Sequence, residues 1–131
     1  MRIFLGLGSN LGDREINLLT ARDLLMKRGV LVVGQSEIRE TKPLGGKDQP
    51  DYLNQVVECE TDLNPQELLK VCKEVEKEMG REDGEKWESR IIDVDILFYG
   101  DQRVHLPGLT IPHPGVKDRD FVVEGLRDLG V

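Results

Sequence analysis

Asp93 and Asp95 stand two residues apart in the otherwise apolar, β-branched run Ile91-Ile92-Asp93-Val94-Asp95-Ile96-Leu97-Phe98. In a strand, residues i and i+2 share a face, so both carboxylates project to one side. Their roots lie about 6.5 Å apart, and two ionised carboxylates at that spacing repel by about 2–3 kcal/mol at an effective dielectric of about 20. A divalent cation turns that repulsion into affinity. All-oxygen ligation of this kind suits Mg²⁺, which takes one or two carboxylates and completes its shell with water and substrate phosphates. Phosphate chemistry is therefore the first reading. Its competitor, a pair of solvated acids on an exposed sheet face, is the commoner fate of an isolated Asp-x-Asp.

The elements that must position this pair can be read from hydrophobic period. Residues 2–8 alternate Ile3, Leu5 and Leu7 against Arg2, Phe4, Gly6 and Gly8, a strand with one apolar face and one unusually open face. Gly8-Ser9-Asn10-Leu11-Gly12 is a turn, and Asp13 can cap a helix to about residue 27, with Leu18, Ala21 and Leu25 on one side and Gly29 as its stop. A long strand is expected over residues 30–41. Pro43, Gly45, Gly46 and Pro50 make residues 42–51 an irregular loop. Residues 52–61 alternate Leu53, Val57 and Cys59 against Tyr52, Asn54, Val56 and Glu58. Asn64-Pro65-Gln66-Glu67 is a capping box, followed by the helical stripe Leu68, Cys72, Val75, Met79.

Residues 81–89 are charged, hold Gly84 and the only tryptophan, Trp87, and read as an exposed loop. A short strand is expected near residues 103–105, an irregular proline-rich stretch over 107–114, and a closing helix over 118–129. The order β-α-β-β-α-β suggests an α+β, ferredoxin-like antiparallel sheet with the two main helices on one face and the active site on the other. Parity then sends Ile92, Val94, Ile96 and Phe98 toward the helices with the other apolar sets. Gly6, Gly8, Tyr52, Asn54, Asp93 and Asp95 share the opposite face.

Composition narrows the class. At 131 residues the chain is expected to be one domain, 1–131. A formal charge of −7 argues against a nucleic-acid partner or an anionic membrane surface, which are met by basic patches. No run is long enough to span a bilayer and no signal-like segment opens the chain, so a cytoplasmic location is the expectation; a monomer is expected as well. Cys59 and Cys72 form no ligand spacing and read as reduced core residues.

Together these motifs resemble the 6-hydroxymethyl-7,8-dihydropterin pyrophosphokinase family. The resemblance rests on Gly8-Ser9-Asn10-Leu11-Gly12, on Thr41 to Leu44 leading into Asp48-Gln49-Pro50-Asp51-Tyr52-Leu53-Asn54, and on Gly80-Arg81. It continues through the segment 87–97 and Leu109-Thr110-Ile111-Pro112-His113-Pro114 to Arg119 and Phe121. It implies transfer of pyrophosphate from ATP to the pterin hydroxymethyl oxygen with release of AMP. Two Mg²⁺ are implied, with Asp93 and Asp95 as their protein ligands and Arg81 and Arg90 as catalytic arginines.

For the pterin, the resemblance implies stacking by Tyr52 and Phe121 and edge recognition by Asn54, helped by backbone groups at Thr41 and Leu44. For ATP it implies Arg81, Trp87, Arg90, Ile96, Thr110, His113 and Arg119. The chain departs from the family pattern at Trp87-Glu88-Ser89-Arg90, where Trp-Gly-Pro-Arg is usual. It departs again in the acidic run 82–85, and at Gly125, where a proline is common. Two other classes fit the same sheet: a non-catalytic ligand-binding domain, for which both aspartates are dispensable, and a phosphate-ester or anhydride hydrolase, for which Tyr52, Asn54 and Phe121 are unimportant.

Overall fold

The computed structural model describes residues 2–42, 50–80, 91–116 and 119–131. β1 (Ile3–Ser9) leads into α1 (Arg14–Lys27), then β2 (Leu31–Gln35), β3 (Arg39–Thr41) and β4 (Tyr52–Glu60). α2 (Pro65–Glu78), β5 (Asp93–Tyr99), β6 (Val104–Leu106), β7 (Leu109–Ile111) and α3 (Asp120–Asp128) complete the chain. The main sheet runs β2-β4-β1-β5, with β3 also on β4, and every described pairing is antiparallel. No helix among the described residues is long and apolar enough to cross a membrane.

Both main helices form where the sequence says they should. The Asp13 side chain accepts the Ile16 N–H at the start of α1, and Gly29 at φ +85° ends it. Asn64 and Glu67 exchange side-chain and backbone hydrogen bonds of 2.8 and 2.9 Å at the start of α2. Leu18, Ala21 and Leu25 from α1 and Leu68, Cys72 and Val75 from α2 bury against Ile3, Leu5, Leu7, Leu53, Val57 and Cys59. Burial pushes the Cys59 thiol up to about 12 and raises that of Cys72 as well, so both stay protonated, as expected of core residues.

Four features differ from the sequence reading. The expected long strand over 30–41 is divided, because Ser36 inserts its hydroxyl into the ladder. The Ser36 N–H donates to the Val56 carbonyl at 2.8 Å, while its Oγ accepts the Val56 N–H at 2.9 Å. The stretch 107–114 is not wholly irregular: β6 and β7 form a hairpin around Pro107-Gly108, with Gly108 at φ +76° supplying the left-handed residue of the turn.

The third correction concerns Phe98. The β1·β5 register shifts so that Phe4 pairs with Phe98 while Leu5 pairs with Ile96, leaving Leu97 as the extra residue of a bulge. Parity inverts beyond it. Val94 and Ile96 face the helices, whereas Phe98 stands on the other side, edge-on to Phe4 at 6.4 Å, and Tyr99 takes the place in the main core.

The fourth concerns the closing helix. α3 lies across the sheet from α1 and α2, and Val122 and Leu126 join Phe4, Val56, Leu97 and Val116 in a second cluster. A Cβ built on Gly125 would stand 2.5 Å from Val56 Cγ2, so the missing side chain lets α3 approach β4 this closely. Arg39 bolts β3 to the same helix through Asp128 and Glu124, and its guanidinium holds the Asp128 carboxyl below its ordinary range. Among the described residues, α3 thereby covers the part of the open face around Phe4, Val56 and Leu97, and the part beside Gly8 lies outside that cover.

Candidate functional site

On that part, β1 contributes two residues without side chains. Gly8 lies between Asn54 on β4 and Asp93 on β5, and Gly6 lies between Val56 and Asp95. A side chain at either glycine would project between the flanking strands' groups. A Cβ at Gly8 would meet Asn54 Oδ1 at 3.1 Å and Tyr52 Cδ1 at 3.5 Å, so these two side chains already close over the glycine. Asn54 is 6% exposed and donates through Nδ2 to Thr41 Oγ1 across the β3·β4 pairing. That bond leaves Oδ1 facing the glycine strip. Asp93 and Asp95 are half-buried on the same face, two residues apart along β5.

Pro50 and Asp51, just before Tyr52, are held by the first turn. Asn10 is 1% exposed and donates to the Pro50 carbonyl at 3.1 Å, while Arg14 donates to the Asp51 carbonyl at 2.8 Å and pairs with Glu40. Asn17 braces the turn by donating to Ser9 Oγ and the Leu11 carbonyl. Sequence reasoning recorded this turn as a motif but missed its mechanical role. Its signal was present in two polar residues, Asn10 and Arg14, flanking a tight glycine turn before a helix.

A second polar group gathers at the far end of β5. The His113 N–H donates to the carbonyl of the bulge residue Leu97 at 3.0 Å, so the bulge anchors the segment after β7. His113 Nδ1 accepts the Gly115 N–H at 3.0 Å, which leaves Nε2 as the ring's donor when the imidazole is neutral. A Cβ at Gly115 would stand 2.9 Å from Arg119 Nε and 3.4 Å from His113 Nδ1, so histidine and arginine converge over this glycine. The group offers an N–H donor and a guanidinium fork, the chemistry that receives phosphate oxygens.

The expected site residues thus fall into two groups. Thr41, Tyr52, Asn54, Asp93 and Asp95 are brought together around Gly8, and His113 with Arg119 around Gly115. Phe121 is half-buried at the start of α3 and packs on the second cluster, on the open side of the sheet. Thr110 is half-buried on β7 between the core residues Leu109 and Ile111. Ile96 is buried in the main core, so what it can present to a ligand is backbone. Leu44, Arg81, Trp87 and Arg90 lie outside the described residues.

Two carboxylates beside a side-chain-free strip form an all-oxygen donor set with room for water and phosphate ligands, which fits Mg²⁺. Among the described residues, no group of three or more His, Cys, Asp or Glu gathers into a fuller protein cage. The face thus combines an aromatic ring, a fixed side-chain amide and two carboxylates.

Residues 4–130 match the family model described as 7,8-dihydro-6-hydroxymethylpterin-pyrophosphokinase. The chain is 42% identical over 127 residues to 2-amino-4-hydroxy-6-hydroxymethyldihydropteridine pyrophosphokinase of Aquifex aeolicus, covering 97% of this chain and 79% of that protein. It is 39% identical to the protein of that name from Bacillus subtilis, covering 96% of this chain and 76% of the relative. It is also 43% identical to the mitochondrial folate synthesis bifunctional protein of Pisum sativum, covering 97% of this chain. The chain spans about a quarter of the length of that plant protein, 25%.

Proposed function

The chain belongs to the 7,8-dihydro-6-hydroxymethylpterin-pyrophosphokinase family, and from that membership we propose that it transfers pyrophosphate from ATP to the hydroxymethyl oxygen of 6-hydroxymethyl-7,8-dihydropterin. The alcohol oxygen bonds to the β-phosphorus, the bond from that phosphorus to the α,β-bridging oxygen breaks, and AMP leaves as the alcohol proton is lost to solvent or a base. The observation that carries this reading is the convergence of Tyr52, Asn54, Asp93 and Asp95 on one face around Gly6 and Gly8. With β2 and β3 counted as one interrupted strand, the β-α-β-β-α-β order through β5 and the sheet order β2-β4-β1-β5 support assigning the fold to the ferredoxin-like class.

Each residue has a task. Asn54, fixed by Thr41, reads the pterin edge, because an amide offers both donor and acceptor. Tyr52 and Phe121 stack on the ring, an interaction of about 0.5–1.5 kcal/mol beyond area burial. Asp93 and Asp95 would hold two Mg²⁺. The chemistry supplied there by bound Mg²⁺ would be neutralisation of triphosphate charge. His113 and Arg119 receive phosphate oxygens, Thr110 and the Ile96 backbone border the nucleotide, and the family resemblance supports the same phosphate task for Arg81 and Arg90 and a nucleotide contact for Trp87. Leu44 adds a backbone contact to the pterin. Positioning and charge stabilisation are the main demands of such a transfer, and these residues supply both.

The test is AMP formation from ATP, Mg²⁺ and the pterin, run beside Asp95→Ala and a control without pterin. Pterin-dependent AMP that falls at least a thousandfold in the variant, at unchanged far-ultraviolet circular dichroism, is the expected result, on the order of 4 kcal/mol of barrier. ADP, or phosphate released without pterin, would point to hydrolysis instead. Turnover by Asp95→Ala would refute the metal assignment.

A further inference from the structure

Glu76 is a carboxylate with 3% exposure on the otherwise apolar side of α2, one position beyond Val75 in the stripe Leu68, Cys72, Val75, Met79. A carboxylate placed there needs a partner. Its partner is informative. Oε2 accepts the backbone N–H of Val94 at 2.8 Å, and Oε1 lies 3.5 Å from Lys73 Nζ. Val94 is the residue between Asp93 and Asp95.

β5 is the end strand of the sheet order, paired with β1 along one side. In an antiparallel pair, alternate residues turn their N–H away from the partner. Asp93 and Asp95 stand opposite Gly8 and Gly6, while the Val94 N–H turns outward to meet Glu76. One helix side chain thus takes the place of a neighbouring strand at the point where the aspartate pair needs a fixed spacing. The glycines opposite the pair contribute no side chains, and the backbone tie at Val94 fixes the strand between the two aspartates.

We propose that Glu76 is a positioning residue for the metal-binding pair: by capturing the Val94 N–H it holds Asp93 and Asp95 at the separation that two carboxylates need to share divalent cations. The inference rests on the assignment of that pair as metal ligands. Partners that orient metal ligands from one bond away typically contribute 10- to 100-fold to metal affinity. Glu76→Gln keeps an oxygen that can accept the Val94 N–H, whereas Glu76→Met keeps the volume and removes the acceptor.

The experiment measures binding of Mn²⁺ together with α,β-methylene-ATP by titration calorimetry and electron paramagnetic resonance. It compares wild type, Glu76→Gln, Glu76→Met and Asp95→Asn, with amide hydrogen exchange followed at Val94. The expected result is Mn²⁺ affinity about 10-fold weaker in Glu76→Met and within about twofold of wild type in Glu76→Gln. The Val94 amide should be protected in wild type and in Glu76→Gln and exchange rapidly in Glu76→Met.

Unchanged Mn²⁺ affinity in Glu76→Met, or equal weakening in both Glu76 variants, would overturn the proposal. So would a Val94 amide that exchanges freely in the wild-type protein, a result that stands even if the methionine variant fails to fold. Asp95→Asn separates the two layers of argument. Wild-type Mn²⁺ binding in that variant defeats the metal assignment itself, whereas loss there alone defeats only the role of Glu76.

Discussion

Gly8→Ala tests the site where its geometry is tightest. The new methyl would stand 3.1 Å from Asn54 Oδ1 and 3.5 Å from Tyr52 Cδ1, so one of these groups must give by a few tenths of an ångström. Asn54 has little room to do so, being 6% exposed and tied through Nδ2 to Thr41. Displacing its Oδ1 leaves one polar group at the pterin edge unmatched, a loss of about 1–3 kcal/mol. Pterin affinity should therefore fall by roughly 5- to 150-fold. The fold should hardly notice. Gly8 sits in a regular strand, where alanine gains about 0.4–1 kcal/mol by restricting the unfolded chain, and this offsets much of the contact strain. Calorimetric titration with the pterin, a parallel titration with α,β-methylene-ATP and Mg²⁺, and a thermal melt measure the three quantities separately. A pterin affinity that does not change, or an equal loss for nucleotide, would refute the placement of Asn54 at the pterin edge.

Gly125→Ala should destabilise the protein by about 1–2 kcal/mol, since overpacking costs about 1–3 and helix propensity returns up to about 1. The methyl would lie 2.5 Å from Cγ2 of the fully buried Val56. A lower urea midpoint at constant m-value is the expected observation, and a higher one would contradict the close approach of α3. Cys59 and Cys72 should resist iodoacetamide in the folded protein at pH 8 and both react in denaturant, as read by mass spectrometry, because burial raises both thiols. Asp128 is held below its ordinary pKa first by the Arg39 hydrogen bond and then by the Glu37 N–H. Its folded-state value is the lower one, so its contribution is present at neutral pH and is lost as pH falls through that value. Asp128→Asn should be less stable than wild type at neutral pH, with the gap closing well below the carboxylate range; a gap that persists in acid would show that charge is not its source.

Much of the architecture was legible because it depends on local rules. Asn64 and Glu67 satisfy each other within a single helical turn, and Asp13 caps the turn it precedes, so α1 and α2 follow from a few neighbouring residues. Strand parity likewise placed Gly6, Gly8, Tyr52, Asn54, Asp93 and Asp95 on one face, since alternation is a property of each strand alone. Parity fails at a bulge. Leu97 inverts it, sending Phe98 to the opposite side and Tyr99 into the core, and one extra residue in an apolar run leaves no mark in composition.

The residue types and their order thus determined which groups one sheet face offers: paired carboxylates, an aromatic and an amide. Tertiary structure decided how that chemistry is held. Only the fold brings Asn10 to Pro50, His113 to Leu97 and Glu76 to the Val94 N–H, contacts that span 40, 16 and 18 residues. Local propensity acts within a turn or a strand, whereas such partners are chosen by which surfaces the packed core brings into reach.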